Sequence, residues 1–172
     1  MLARVAHLEA RGLLAEPLLV RFAVLFHDVI YDARAAAPSN EVASADAWRD
    51  FAASAATHLT PAQIDRVAAY IERTATHMDG PAAGDLAHFL DADLAVLGGP
   101  PAAYAEYARQ VRLEYAHVPT PAFVAGRSRV LARFLAAPQV YFSREAADEG
   151  LEARARANLE AEIARLGRRG GA

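Results

Sequence analysis

From Leu18 to Ile30 the chain is apolar except for Arg21 and the adjacent pair His27-Asp28, and Tyr31-Asp32 closes the run. Pro17 stands where a first helical residue with fixed φ belongs, and no Gly or second Pro follows until Pro38. The run is therefore predicted to be one helix from about Pro17 to Tyr31, on the order of four turns. A helix that is apolar on every side is a buried one. An imidazole and a carboxylate side by side inside it need compensation, and a divalent metal ion is the simplest. Taken alone, the same doublet also reads as a satisfied buried His-Asp pair.

With 172 residues, 54% of them apolar, and a net charge of −3, the chain is long and apolar enough for one folded domain with its own core. That domain is expected over residues 1–166, with 167–172 a frayed tail. Arg21 and His27-Asp28 interrupt the best apolar stretch, so no membrane span is expected. Arg4, His7, Glu9 and Arg11 likewise interrupt the N-terminus where a signal peptide would be apolar, which leaves a cytoplasmic address as the expectation. There is no cysteine, so any metal is held by His, Asp or Glu. The 18 basic residues are all Arg, scattered among 21 acids without a basic block, and nucleic acid is not an expected partner.

Nearly every segment carries helical signals. Leu2, Val5 and Leu8 form a stripe closed by Gly12. After the helix from Pro17, a loop through Ala35-Ala36-Ala37-Pro38 leads to Ser39-Asn40, a helix N-cap, and a helix to about Ser54. Thr60-Pro61-Ala62-Gln63 is a capping box opening a helix to about His77, followed by a turn at Asp79-Gly80-Pro81. Further helices are predicted over 84–97, 102–116, 120–136 and 143–166. Gln139-Val140-Tyr141-Phe142 is the one strand-like piece and is too short to imply a sheet. The fold class is all-α, a bundle of about seven or eight helices.

At ~100° per residue, Leu86, Phe89, Leu90, Val96 and Leu97 share one side of the 84–97 helix. Asp93 projects near the middle of that side and is expected to face the core, while Asp91 points the opposite way, towards solvent. Asp28 and Asp93 are then two buried carboxylates that one cation could serve. His27 and Tyr31 share a helical face, as do Asp28 and Asp32. Imidazole and carboxylate donors suit Mn, Fe, Co, Zn or Mg.

The doublet His27-Asp28, followed far downstream by Ala92-Asp93-Leu94, resembles the HD superfamily of metal-dependent phosphohydrolases. The resemblance extends through Phe26 to Asp32, Asn40-Glu41, Thr74 to His77 and Phe89 to Gly98. It continues through Val111 to Tyr115, Gly126-Arg127 and Arg156 to Leu159. Within the superfamily the closer resemblance is to a bacterial group of predicted HD phosphohydrolases, and it implies an HD-like helical bundle with a divalent metal held by His27, Asp28 and Asp93. Asp32 aligns with the acidic end of the HDxxED segment of the (p)ppGpp-hydrolysing branch. Tyr31 replaces the Glu of that segment, so that reaction is not carried over. The family's first His lies one antiparallel helix before the doublet. Here its place falls before Met1, and His7 lies ~9 Å too near the turn. The chain is thus expected to begin too late to supply that ligand.

The expected function is metal-dependent hydrolysis of a nucleotide or other small phosphate ester. Asp32, Glu41 or His77 would orient or deprotonate the water, and Arg112 or Arg127 would offset phosphate charge. The alternative is a non-catalytic HD-like helical domain whose degenerate metal site serves ligand binding or fold stability. A small phosphorylated substrate is the expected partner, and a homodimer is compatible with the same reading. The competing readings are ordinary: Glu41 as a first-turn acid, His77 as a helix-ending structural His, and Arg112 and Arg127 in salt bridges to Glu114 or Glu106. His7, His58, His88 and His117 read as surface residues. Trp48, Phe51, Tyr104, Tyr107 and Phe123 read as core, and the charged last helix as a solvated face with weak ion pairs.

Overall fold

A computed structural model describes residues 1–34, 39–55 and 57–170. The expected Ala35-Ala36-Ala37-Pro38 loop and the end of the tail lie outside the described residues. Among those described there are nine α-helices and no strand: α1 (Leu2–Ala10), α2 (Pro17–Phe26), α3 (Asn40–Ser54), α4 (Pro61–Arg73), α5 (Gly84–Asp93), α6 (Pro101–Glu114), α7 (Thr120–Ala136), α8 (Arg144–Asp148) and α9 (Leu151–Gly170). Short 3₁₀ turns, Thr74–Thr76 and Leu94–Val96, follow α4 and α5. No described helix is long and apolar enough to cross a membrane. The chain divides into two compact units, Met1–Ala92 and Asp93–Ala172.

The first unit is organised by its helix starts. Ser39 accepts a hydrogen bond from the Val42 N–H, and Thr60 and Gln63 form the reciprocal capping box. Helix α4 packs on α2 and α3, and α1 packs on α2. Their common core centres on Trp48, which is fully buried and packs against Phe22, tilted, and Phe26, edge-on, at 4.7 and 5.2 Å between ring centroids. The indole N–H donates to the Ile64 carbonyl at 2.9 Å, so the one polar atom of the ring is satisfied. Phe51, expected in this core, is 39% exposed at its edge. At the entry to α2, the Asp85 carboxylate accepts from the N–H groups of Ala15 (2.8 Å) and Glu16 (2.7 Å). It thereby caps a helix some 70 residues upstream of itself.

Helix α2 is shorter and more exposed than its composition suggests. It ends at Phe26, and Leu18, Leu25, Val29, Ile30 and Tyr31 are all exposed. The reason lies in α3. Ser44 both donates to the Ile30 carbonyl and accepts from its N–H, each at 3.1 Å. The Asn40 amide pairs in the same way with the backbone of Asp32, at 3.0 and 3.1 Å. These side chains take the backbone groups that another helical turn would need.

In the second unit α9 is the central element, contacted by α6, α7 and α8. The expected single helix over 143–166 is two, because Gly150 adopts φ +67° between α8 and α9, where a side chain would be strained. Val140 and Tyr141 are buried without forming a strand. Glu152 of α9 accepts from both of their N–H groups, at 2.9 and 3.3 Å, doing what a neighbouring strand would otherwise do. Asn158 donates to the carbonyls of Leu97 (2.8 Å) and Gly99 (3.0 Å), and Arg154 to that of Gly98 (2.8 Å). The turn after α5 is thus tied to α9 through three consecutive carbonyls.

Gly98 in that turn has no room for a side chain. A Cβ would meet the Leu151 carbonyl oxygen at 2.8 Å and the Tyr141 hydroxyl at 2.9 Å. The hydroxyl cannot swing away cheaply, since it donates to the Leu94 carbonyl at 2.9 Å. Gly98→Ala is expected to lower stability by about 1–3 kcal/mol through overpacking, read as a lower urea midpoint at unchanged m-value.

Candidate metal and hydrolytic site

His27 is the C-cap of α2 rather than a residue within it, and Asp28 follows in the turn. The His27 ring lies edge-on to Phe89, 6.1 Å between centroids at 88°. Its Nδ1 is 2.9 Å from the Val24 carbonyl. A carbonyl only accepts, so Nδ1 carries the hydrogen and a neutral ring has its lone pair on Nε2. That Nε2 lies 3.4 Å from a carboxylate oxygen of Asp28. The imidazole is largely sheltered, whereas the Asp28 side chain is 62% exposed.

The shared helical faces expected for His27 with Tyr31 and Asp28 with Asp32 do not exist, because the helix stops before them. Asp32 is instead exposed, its carboxylate accepting from the Arg34 N–H at 2.8 Å in a local turn. Glu41 is half-buried in the first turn of α3, next to the Asn40 that holds Asp32. His77 is half-buried in the turn after α4. That turn is clamped by Arg73, which donates to the carbonyls of Thr76, Asp79 (2.7 Å) and Gly80 (3.0 Å).

Of the two α5 carboxylates, Asp91 is the buried one, against the solvent-facing position expected for it. Asp91 is only 1% exposed, while Asp93 is intermediate. Regular α geometry ends at Asp93, where the backbone tightens to 3₁₀ over Leu94–Val96. The buried surface of α5 is also broader than a stripe, since every residue from Ala87 to Ala92 is buried. His88 is part of it, against the surface position expected for it, whereas His7, His58 and His117 are exposed as expected.

Arg112 and Arg127 belong to the second unit, and both use their donors within it. Arg112 lies over the Phe123 ring (4.7 Å) and donates to the carbonyls of Tyr115 (2.6 Å) and Val118 (3.3 Å), closing the end of α6. Arg127 makes a two-pronged pair with Glu162, at 3.0 and 3.2 Å, and covers the Tyr107 ring at 5.5 Å. Tyr104 donates to the same carboxylate. Glu162, read as part of a solvated face, is therefore buried. Burial alone would raise its pKa, but the hydrogen bonds from Arg127 and Tyr104 and the guanidinium charge outweigh it and hold the carboxyl below its usual range. Burial and the adjacent carboxylate push the Tyr104 hydroxyl far up.

Sequence reasoning missed Asp85, Ser44 and Asn158 as positioning residues, because their partners are distant backbone groups that no local pattern announces. Among the described residues no group of three or more His, Asp or Glu side chains is arranged to hold a metal ion. Comparison with protein-family models, with curated proteins and with solved structures found no match to this chain.

Proposed function

We propose that this protein is a metal-dependent phosphohydrolase of the HD kind, acting on a nucleotide or another small phosphate ester. The observation that carries the reading is the geometry of the doublet. The Val24 carbonyl orients the His27 ring through Nδ1, and Nε2 lies 3.4 Å from an Asp28 oxygen. Two electron-pair donors held that close form an arrangement that a cation would bridge, and a backbone carbonyl behind the ring is the usual support for a metal-binding His. The all-helical fold agrees with the HD-like bundle at the level of class. Asp93 enters the proposal as a third donor through the resemblance alone.

A bound divalent ion would polarise the phosphoryl oxygen and lower the pKa of a coordinated water. The chain's own contribution would be to hold that water. Asp32 sits on the segment fixed by Asn40, Glu41 on the first turn of α3, and His77 on the turn clamped by Arg73. A phosphate role for Arg112 or Arg127 would require them to exchange the bonds they now make.

The test is elemental analysis of the purified protein together with hydrolysis of p-nitrophenyl phosphate and its bis ester. About one Mn, Fe, Co or Zn per chain with turnover, both lost in Asp93→Ala, supports the proposal. A folded protein that stays metal-free and inactive after incubation with Mn and Zn salts overturns it. That result would favour the second reading, a non-catalytic helical domain with a degenerate metal site, in which Tyr31 stands where the family's segment has Glu.

A further inference from the structure

The second unit contains a cavity of about 520 Å³ between α6, the turn after it and α7. That volume falls within the range of small-molecule sites, ~300–1,000 Å³. Its lining includes the apolar Val111, Val118, Phe123 and Val130, with Tyr115. The cations among its lining residues are Arg127, Arg129 and Arg133, and no acid lines it. Arg127 is neutralised by Glu162, but Arg129 and Arg133 are exposed and donate to no acceptor among the described residues.

A glycine supplies the second observation. Gly126 lines the cavity in the middle of α7, has no positive φ, and a Cβ built on it meets nothing within 4 Å. Neither a turn nor close packing requires a glycine there, and a glycine inside a helix is unfavourable. What it preserves is space. Gly126, Arg129 and Arg133 follow at helical spacing, so the open floor and the two cations share one face of α7.

We propose that this cavity binds a small amphiphilic organic anion, its apolar body over Gly126 and its single anionic group at Arg129 and Arg133. Carboxylates, phosphate monoesters and sulfonates share that chemistry. The proposal does not depend on the hydrolase reading.

The experiment is fluorescence titration of the whole chain with anilinonaphthalene sulfonate, and in parallel with phenylnaphthylamine, which has the same body without the charge. The expected result is one saturable site per chain for the sulfonate and clearly weaker binding of the neutral amine. Arg129→Gln/Arg133→Gln, two exposed changes, should weaken the sulfonate roughly fivefold or more, as two partly screened ion pairs predict. Gly126→Leu should weaken it roughly tenfold or more while raising Tm by about 2–4 °C, because a helix glycine is replaced and the cavity filled. A stabilised protein that no longer binds separates site loss from misfolding. Non-saturable emission, equal affinity for the neutral amine, or wild-type binding in both variants overturns the proposal.

Discussion

Arg127→Met is expected to lower the stability of the protein by about 3–5 kcal/mol, the usual cost of stranding one partner of a buried ion pair. The Arg127 and Glu162 side chains are 10% and 3% exposed. Removing the guanidinium takes away both prongs of the pair and leaves the carboxylate with the Tyr104 hydroxyl, in a place water barely reaches. The double change Arg127→Met/Glu162→Leu should recover most of the loss, because no buried charge is then left uncompensated. The pH dependence follows from the depressed pKa of Glu162. A carboxyl held lower in the folded state than in the unfolded one stabilises above its unfolded value, and that contribution disappears as pH falls through the folded one. The deficit of Arg127→Met should thus be full at neutral pH and shrink in acid, where the stranded Glu162 takes up a proton and the wild type loses its advantage. Urea unfolding at neutral pH and near pH 4 checks both signs. A loss below about 1 kcal/mol, typical of an exposed pair, would show that water reaches the cluster.

This cluster also shows where reading a sequence stops. Helix starts are written locally: Pro17, Ser39, Thr60-Pro61 and Ser143 each announce themselves by residues that cap or preorganise a first turn, and each stands where expected. Helix ends are decided elsewhere. Nothing between Phe26 and Tyr31 says stop; Ser44 and Asn40 do, by taking backbone groups of Ile30 and Asp32. The doublet His27-Asp28 was legible because a polar pair in an apolar run is costly, yet the orientation of Nε2 depends on a carbonyl three residues back. Asp91 is buried because the buried surface of α5 takes in every residue from Ala87 to Ala92, wider than the stripe a helical wheel draws. Glu162 looked like one more charge on a charged helix, since its partner Arg127 lies 35 residues upstream.

Asp28→Asn offers the sharpest separation between a structural pair and a metal-binding one. The Asp28 side chain is 62% exposed, and a polar contact so open to water contributes little, about 0–1 kcal/mol. If the doublet merely completes the end of α2, the variant should differ from wild type by no more than that and lose nothing else. The metal reading predicts the same small change in stability for the metal-stripped protein, together with a loss of metal affinity and phosphate-ester turnover on the order of 100-fold or more, since even changing a supporting group behind a ligand costs 10–100-fold. The amide keeps the shape of the carboxylate but gives up its charge, so a fall in binding cannot be assigned to a collapsed loop. Ser44→Ala is the contrasting variant. It breaks both bonds to Ile30 and should cost about 1–3 kcal/mol, while leaving His27 on its Val24 carbonyl. Calorimetric Mn titration of the three proteins reads the difference: Asp28→Asn should lose the site with its fold nearly intact, and Ser44→Ala should lose stability with the site retained.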